Sequence, residues 1–267
     1  MIPNVLSIAG SDPSGGAGIQ ADLKTFSALG CYGMAAVTAL TAQNTRGVAG
    51  VHMPPPEFVA AQIDAIFADV RVDAVKLGML GSAAIVAAVA DRLRAHGARN
   101  IVLDPVLVAT SGDALGAPDV VDAMRDLLFP LATLITPNVP EAARLADAGA
   151  PSDVAGLESL ARSLRAGGAR AVLVKGGHLT GDSAEDVLMD GETLSVLRAP
   201  RVHTRNTHGT GCTLSSAIAA HLARGLDLPQ AVQASKAYLT AALAASDALD
   251  VGSGAGHGPV HHFHAVW

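Results

Sequence analysis

Two kinds of hydrophobic run alternate along the chain. Short runs of consecutive apolar residues, rich in β-branched side chains, are typical of buried strands, and we predict strands at Val5–Ala9, Ala35–Leu40, Ala74–Leu77, Ile101–Leu103, Thr133–Ile135 and Ala171–Val174. Longer runs with helical spacing predict helices at Ala17–Leu29, Glu57–Asp69, Ser82–His96, Pro118–Leu127, Val139–Ala146, Leu157–Arg165, Thr213–Arg224 and Leu228–Leu249. Strands that are apolar throughout are buried on both faces. The alternation therefore predicts an α/β fold with a mostly parallel sheet covered on both sides.

The pattern changes between Asp186 and Leu197, where two strand-like runs predict a hairpin that turns at Asp190-Gly191. The glycine-rich segment Gly252 to Gly258 is typical of a loop. No internal repeat or linker divides the sequence, so we expect residues 1–267 to form one domain. With 267 residues, of which 50% are hydrophobic, the chain is long enough for a sizeable core.

Composition removes several classes of function. The net charge is −6, no basic block occurs and aromatic residues are only 3%, so the sequence lacks the charge and the stacking groups of a nucleic-acid-binding protein. We also expect no membrane span and no signal peptide. The two cysteines, Cys31 and Cys212, have no CxxC partner, which favours a reducing, cytoplasmic location. Cys31 is interpreted as a small buried hydrophobe.

The run from Asn206 to Thr213, NTHGTGCT, directly precedes a predicted helix. Its glycines and threonines favour a tight turn with backbone N–H groups aimed at one point, and the helix dipole adds positive potential there. We therefore expect a phosphate site with Cys212 at its mouth. A helix N-terminus lowers the pKa of a thiol, so we expect Cys212 as a thiolate, either as a general base or as a covalent nucleophile. The alternative is a buried cysteine that only packs.

A first glycine loop, Gly10 to Gly18, follows a predicted strand and opens a helix. It is not a Walker A motif, because Gly16 stands where that motif needs lysine. It is not a dinucleotide fingerprint either, because no acidic residue lies between Asp22 and Glu57 to hold a ribose. Asp22 lies one turn beyond the loop, and we expect it to face a bound ligand.

Polar residues follow the predicted strands at the edge where ligands gather in such sheets: Asp104, Asn138, Glu141 and Lys175. We interpret Asp104 and Glu141 as a Mg²⁺ pair, because Mg²⁺ takes few carboxylates and keeps most of its waters. Lys175, followed by two glycines that let a phosphate approach the backbone, is interpreted as a phosphate contact. The alternatives are an Asp-Pro turn for Asp104 and a first-turn helix acid for Glu141.

The C-terminal histidines are interpreted as packing or surface residues, with a metal site as the alternative, because their spacing matches no helix-face pair. They are His257, His261, His262 and His264.

Several motifs in order resemble one known family. They are SIAGSDPSGGAGIQADLKTF, TALTAQNT, KLGMLGS, LDPVLVATSG, TPNVPEA, VKGGH, THGTGCTLSSA and GHGPVHHFHAVW. The chain resembles the hydroxymethylpyrimidine/phosphomethylpyrimidine kinases, a vitamin-kinase branch of the ribokinase-like superfamily. The resemblance implies a three-layer αβα sandwich, ATP as co-substrate, Mg²⁺, a homodimer, and two successive phosphoryl transfers in thiamine biosynthesis.

The resemblance also implies a role for each candidate residue. Gln43 reads the aminopyrimidine edge, since an amide offers one donor and one acceptor side by side. Asp22 adds a second polar contact, and Cys212 lies beside the 5-hydroxymethyl oxygen. Met79 and Val106 form apolar walls for the ring, and Gly10 and Ala17 leave space for it. Asp104 and Glu141 form the metal site. The phosphoryl site consists of Lys175, Gly209, Thr210, Gly211 and Asn138.

Two rival functions stay open from the sequence. One is a pyridoxine/pyridoxal kinase on the same scaffold, because a hydroxymethylpyridine is nearly isosteric with the pyrimidine; Gln43 and Met79 favour the pyrimidine. The other is a catalytically silent vitamin- or nucleotide-binding regulator, against which Cys212, Lys175 and Glu141 argue.

Overall fold

A computed structural model describes residues 1–107 and 118–267. Its strands form one nine-stranded sheet in the order β3-β2-β1-β4-β5-β6-β7-β8-β9. The strands are β1 (Asn4–Gly10), β2 (Tyr32–Asn44), β3 (Gly47–His52), β4 (Ala74–Leu77), β5 (Ile101–Leu103), β6 (Leu134–Ile135), β7 (Ala171–Lys175), β8 (Ser183–Asp190) and β9 (Thr193–Pro200). The central pairs from β2 to β7 are parallel, whereas β3, β8 and β9 pair antiparallel with their neighbours.

Helices cover both faces of this sheet. They are α1 (Gly18–Ala28), α2 (Pro56–Asp69), α3 (Ala83–Ala95), α4 (Pro118–Ala123), α5 (Val139–Leu145), α6 (Val154–Ala166), α7 (Thr210–Ala223) and α8 (Leu228–Ala244). One buried cluster joins the sheet to α2 through α6, and a second joins it to α1, α7 and α8. Alternate residues of a strand enter opposite clusters, as Ala74 and Val75 do on β4. The predicted three-layer α/β architecture is therefore confirmed.

The hairpin of β2 and β3 departs from the prediction. β2 continues past Leu40 to Asn44, and β3 pairs back onto it with Asn44 opposite Gly47. Four of the six β3 residues are exposed and two are glycines, so this strand lacks the apolar run that reveals a buried strand. The extension matters because it carries Gln43 out along the edge of the sheet.

Several helix ends also differ from the prediction. α7 begins at Thr210 rather than Thr213, so the predicted phosphate turn is itself the first turn of the helix. α4 passes into a π-helical turn at Met124–Leu128, and α8 ends at Ala244 before a 3-10 turn at Ser246–Ala248.

The predicted hairpin at the far edge is real, but β8 and β9 are longer than expected. Asp190 pairs with Thr193, which places the turn at Gly191-Glu192, one residue later than predicted. The segment from Gly252 to Gly258 is a loop, as predicted. Within the two described ranges, every helix is too short or too polar to cross a lipid bilayer.

Candidate active site

A cavity of about 700 Å³ opens at the carboxyl ends of the parallel strands. Thirteen of the fourteen candidate site residues line it; the exception is Asp22. Those on the wall are Gly10, Ala17, Gln43, Met79, Asp104, Val106, Asn138, Glu141, Lys175, Gly209, Thr210, Gly211 and Cys212. The last residues of the LDPVLVATSG motif, 108–112, lie outside the described residues.

The predicted phosphate site is the N-terminus of α7. Gly209 caps the helix with φ of 77°, and a Cβ there would overlap the Gly16 carbonyl oxygen, so this position needs glycine. The first N–H groups of a helix have no partner within the helix, and the residues of the first turn of α7, Gly209 to Cys212, line the cavity. The Thr210 N–H donates to the Thr207 carbonyl at 3.3 Å. A Cβ added at Gly211 would lie 3.2 Å from Lys175 Nζ, which shows how closely the ammonium approaches this first turn.

Lys175 and Asp104 form an ion pair beside α7, with 2.8 Å between Nζ and Oδ1. Asp104 also accepts hydrogen bonds from Thr136 Oγ1 at 3.2 Å and from Ser215 Oγ at 3.4 Å. Burial lowers the pKa of Lys175, but the carboxylates of Asp104 and Glu141 outweigh it and raise that pKa above its ordinary value. The lysine is therefore a fixed positive charge at the start of α7, where an anion is expected.

Glu141 and Asn138 cap α5 reciprocally. Glu141 N–H donates to Asn138 Oδ1, and Asn138 N–H donates to Glu141 Oε2, both at 2.9 Å. Burial raises the pKa of Glu141 to about 7; Lys175 opposes this rise and Asp104 adds to it. A buried carboxylate next to a second carboxylate is an environment that a divalent cation relieves.

Asp104 and Glu141 fit Mg²⁺ by the chemistry of their donors. Both offer hard carboxylate oxygens on the cavity wall. Among the described residues, no group of three His, Cys, Asp or Glu side chains is placed to hold a metal. Two carboxylates suit Mg²⁺, which characteristically takes few protein ligands and completes its coordination with water and phosphate oxygens.

Cys212 lies partly exposed on the cavity, in the first turn of α7. Burial raises the pKa of its thiol to about 11, although the Lys76 ammonium and a hydrogen bond from the Gly18 N–H both lower it. The expectation of a resting thiolate is therefore wrong, because desolvation outweighs the helix N-terminus. Cys31 is only 6% exposed, which confirms its interpretation as a buried hydrophobe.

Asp22 lies beneath the cavity and not on its wall. Both carboxylate oxygens are 2.9 Å from Lys76 Nζ, and the hydroxyls of Ser7 and Ser216 donate to them at 2.6 and 2.7 Å. The expectation that Asp22 contacts a ligand is corrected accordingly: the face of α1 that carries it turns toward the sheet. Lys76 was missed, and its signal was a lone charge within the apolar strand AVKL.

The substrate-side wall comes from β1, β2 and the loop after β4. A Cβ at Gly10 would lie 2.6 Å from Met79 Cε, so the glycine lets the methionine side chain lie against the backbone. Thr38 Oγ1 donates to the Met79 carbonyl at 2.6 Å, which fixes that loop. Gln43 lines the cavity, and its Oε1 lies 3.2 Å from Thr41 Oγ1, whose hydroxyl also donates to the Ser11 carbonyl at 2.8 Å.

The opposite side of the cavity contains a second buried ion pair that the sequence did not reveal. Lys236 Nζ on α8 lies 2.6 Å from Asp186 Oδ2 on β8, and Asp186 Oδ1 accepts the Gly176 N–H at 2.9 Å. A Cβ at Gly176 would overlap the Glu185 carbonyl oxygen. Gly176 is therefore needed for the close approach of β8.

Two of the four C-terminal histidines, His261 and His262, are buried, whereas His257 is exposed, so packing and surface positions both occur, as predicted. His262 Nε2 lies 3.1 Å from Thr213 Oγ1, and Tyr238 donates its hydroxyl proton to the His262 carbonyl. Burial lowers the pKa of His262 to about 3, so this side chain is neutral at ordinary pH.

Comparison with known proteins agrees with this geometry. A sequence model of the phosphomethylpyrimidine kinase family matches residues 12–261. The hydroxymethylpyrimidine/phosphomethylpyrimidine kinase of Rhizobium meliloti is 57% identical over 262 residues, covering 98% of this chain and 97% of the relative. The ADP complex of Bacillus subtilis pyridoxal kinase superposes with a TM-score of 0.90 at 37% identity, covering 99% of both chains. The Staphylococcus aureus pyridoxal kinase with AMP-PCP and pyridoxal also has a TM-score of 0.90, at 33% identity, covering 100% of this chain and 95% of that one.

The sheet, the covering helices and the cavity at the N-terminus of α7 define a phosphotransferase of the ribokinase-like class. The sequence relatives have higher identity to this chain than the structural relatives do, and they narrow the class to one family. The chain belongs to the phosphomethylpyrimidine kinase family, whose curated members include thiamine biosynthesis enzymes.

Proposed function

We propose that this protein transfers the γ-phosphoryl group of ATP to the hydroxymethyl group of 4-amino-5-hydroxymethyl-2-methylpyrimidine and then phosphorylates the monophosphate to the diphosphate. The observation that carries the proposal is the meeting of Lys175, Asp104 and the first turn of α7 on the same cavity as Gln43. The cavity thus combines the proposed phosphate site with an amide that is proposed to form hydrogen bonds with the aminopyrimidine. The names of the relatives supply the substrate class.

The substrate side is proposed to bind the pyrimidine ring. The Gln43 amide pairs with a ring nitrogen and the adjacent amino group, because it offers one acceptor and one donor. Met79 and Val106 pack on the ring, while Gly10 and Ala17 leave room for it. This places the hydroxymethyl group toward Cys212 and α7.

The phosphate side is proposed to bind the transferring group of ATP. The backbone N–H groups at Gly209, Thr210 and Gly211, together with the Lys175 ammonium, stabilise the charge on the equatorial oxygens. Asp104 and Glu141 hold Mg²⁺, with Asn138 fixing Glu141; the ion, when bound, neutralises phosphate charge. In-line positioning and charge stabilisation supply most of the rate in phosphoryl transfer.

Cys212 is proposed to accept the proton of the substrate hydroxyl. The hydroxyl oxygen forms a bond to the γ-phosphorus, the bond from that phosphorus to the β,γ-bridging oxygen breaks, and the proton passes to the Cys212 sulfur. Since the resting thiol has a pKa of about 11, only a small fraction of the protein carries the Cys212 thiolate, the form that accepts a proton, near neutral pH. We therefore expect a modest contribution, and a rate that rises with pH.

A pyridoxal kinase activity is the second candidate, because both structural relatives described above are pyridoxal kinases. Comparison of kcat/KM for hydroxymethylpyrimidine and pyridoxal in one coupled ATP-consumption assay distinguishes the two. Mass analysis of the product then shows whether one or two phosphoryl groups are added. A protein that binds either vitamin without consuming ATP would contradict both activities.

We further propose that residues 1–267 act as one kinase domain in the cytoplasm and as a homodimer. One sheet joins all the described strands, and both cysteines are free thiols, as is usual in reducing compartments. The β2–β3 hairpin exposes Leu40 on one face and Val51 on the other, 52% and 47% accessible, and a second copy would cover such apolar side chains. Light scattering that gives the mass of one chain at micromolar concentration would contradict the dimer.

A further inference from the structure

His208 and Asp12 join the two glycine loops of the cavity. His208 Nε2 lies 2.7 Å from Asp12 Oδ2, and neither side chain is more than 7% exposed. The two residues are 196 positions apart in sequence. His208 immediately precedes Gly209, the cap of α7, while Asp12 begins the loop that leads to Ala17 on the substrate side. The pair therefore connects the phosphate side of the cavity to the acceptor side.

The Asp12 carboxylate organises the acceptor-side loop. Its Oδ1 accepts the Ser14 N–H and Oγ–H, at 2.9 and 2.7 Å. Its Oδ2 accepts the N–H groups of Gly16 and Ala17, at 3.2 and 2.8 Å, besides His208. Burial raises the pKa of Asp12, but the hydrogen bonds from His208 and Ser14 outweigh it and hold the pKa at about 2. Residues 12–17 are thus bound around one permanent anion.

The His208 side is equally constrained. The His208 N–H donates to the Gly258 carbonyl at 3.0 Å. A Cβ at Gly16 would overlap the His208 ring, and a Cβ at Gly209 would overlap the Gly16 carbonyl oxygen. The backbone of Gly16 therefore packs directly against the His208 ring and against the backbone of Gly209. A change in the His208–Asp12 distance would move the loop with Ala17 relative to the first turn of α7.

We propose that His208 is a positioning residue for phosphoryl transfer, holding the acceptor-side loop 12–17 in register with the first turn of α7 through Asp12. This inference rests on the proposed phosphotransferase function. In-line transfer is sensitive to displacement, since a misplacement of about 1 Å can cost roughly 100-fold in rate. A displaced acceptor also leaves room for water beside the γ-phosphorus. A water oxygen then forms the new bond to the γ-phosphorus, the bond from that phosphorus to the β,γ-bridging oxygen breaks, and ATP and water give ADP, inorganic phosphate and a proton.

The test measures the coupling of ATP consumption to product formation in the full-length protein with ATP, Mg²⁺ and hydroxymethylpyrimidine. For His208→Ala we expect product kcat to fall by about 10- to 100-fold, with a KM for ATP within about two-fold of wild type. We also expect the ratio of ADP to phosphorylated product, counted per phosphoryl group transferred, to exceed about two instead of one. Loss of folded protein alone lowers both quantities equally and leaves this ratio unchanged.

Two matched variants make the result specific. His208→Gln keeps an N–H donor at a similar reach, so its ratio should return close to one. His96→Ala breaks a more exposed His–Asp pair, with His96 Nε2 2.6 Å from Asp64 Oδ1, between the C-cap of α3 and helix α2 and away from the cavity. It should keep both kcat and a ratio of one. A His208→Ala protein with the same kcat and the same ratio of ADP to product as His96→Ala would overturn the proposal. A His208→Gln protein with a ratio of ADP to product as high as that of His208→Ala would also overturn it.

If His208→Ala does not fold, Asp12→Asn tests the same link from the other side, because it removes the charge and keeps the size of the side chain. We expect the same increase in the ratio of ADP to product. A ratio of one in Asp12→Asn would then overturn the positioning role. Failure of the wild-type protein to phosphorylate the pyrimidine at all would instead contradict the proposed function, so the two failures are distinguishable.

Discussion

Lys76 Nζ lies 2.9 Å from both carboxylate oxygens of Asp22, and neither side chain is exposed to solvent. On β4, Val75 and Leu77 enter the cluster of α2 to α6, so Lys76 points to the opposite face, toward α1 and α7. The pair ties the sheet to both helices that bear the two glycine loops, since Ser216 on α7 donates to the same carboxylate. It forms the charged floor of the cavity.

Loss of one partner should therefore destabilise the fold more than loss of both. Lys76→Met leaves the Asp22 carboxylate buried without a cation, and we expect the free energy of unfolding to fall by about 3–5 kcal/mol. The double variant Lys76→Met with Asp22→Asn leaves no unpaired charge and should be more stable than the single variant. Urea unfolding measures both.

The matched control for Lys76 is the exposed pair of Arg198 and Glu185, whose side chains are 64% and 23% accessible. Arg198→Met should cost no more than about 1 kcal/mol, because water screens such a pair. Equal losses of unfolding free energy in Lys76→Met and Arg198→Met would contradict the larger contribution to stability expected of the buried pair.

The preference of an alkylating reagent for Cys212 over Cys31 should reflect access to the thiol rather than a lowered pKa. The Cys212 thiol opens onto the cavity, whereas Cys31 is buried, and burial raises the pKa of both. We expect iodoacetamide to label Cys212 first, slowly near neutral pH and faster as the pH rises toward 11, with bound pyrimidine protecting it. Peptide mass analysis at a series of pH values measures this. A rate that already levels off near pH 7 would contradict the raised pKa.

Turnover tests the proposed proton transfer separately. Cys212→Ala should keep pyrimidine binding and lower kcat by about 100-fold, the lower end of the range for a general base. Cys31→Ala serves as the matched cysteine control and should leave kcat unchanged. If Cys212→Ala turns over at the wild-type rate, the sulfur is not the proton acceptor.

Gln43 provides the sharpest test of the pyrimidine side. Gln43→Leu removes a donor and an acceptor from the cavity wall while keeping a similar volume, so a bound aminopyrimidine edge would lose its partners. We expect KM for the pyrimidine to rise by about 10- to 100-fold and KM for ATP to change by less than about two-fold. Gln233→Leu, on the exposed face of α8, is the matched control. Equal changes in the two KM values would contradict this assignment.

The local pattern of the sequence predicted the central strands well, because strands such as β5 and the Ala171–Val174 segment of β7 are buried and their apolar runs are unbroken. It failed where a strand is largely exposed, as in β3. The positions of Lys175, Asp104 and Glu141 at one edge followed from chain topology alone. The Lys76–Asp22, Lys236–Asp186 and His208–Asp12 pairs did not, because each joins residues at least 50 positions apart and only tertiary packing brings them together.

Glu141 should make stability depend on pH in a definite direction. Burial raises its pKa in the folded chain to about 7, from an ordinary value of 4.5. The folded state therefore favours the protonated acid, so its contribution to stability is full below pH 4.5 and is lost as the pH rises through 7. Glu141→Gln keeps the cap on Asn138 and removes the titration. We expect the wild-type protein to lose stability relative to this variant between pH 4.5 and 8.

The proposed Mg²⁺ site adds a second expectation for the same carboxylate. A cation favours the ionised form, so Mg²⁺ should raise the melting temperature more at pH 8 than at pH 5.5, and less in Glu141→Gln than in wild type. Glu57→Gln removes an exposed first-turn acid from α2 and should match wild type in both measurements. Parallel pH profiles for wild type and Glu141→Gln would contradict the raised pKa. A Mg²⁺ effect of equal size in wild type and Glu141→Gln would exclude Glu141 as a ligand. It would not exclude Asp104, because the two carboxylates are held independently, Glu141 by the cap of α5 and Asp104 by Lys175.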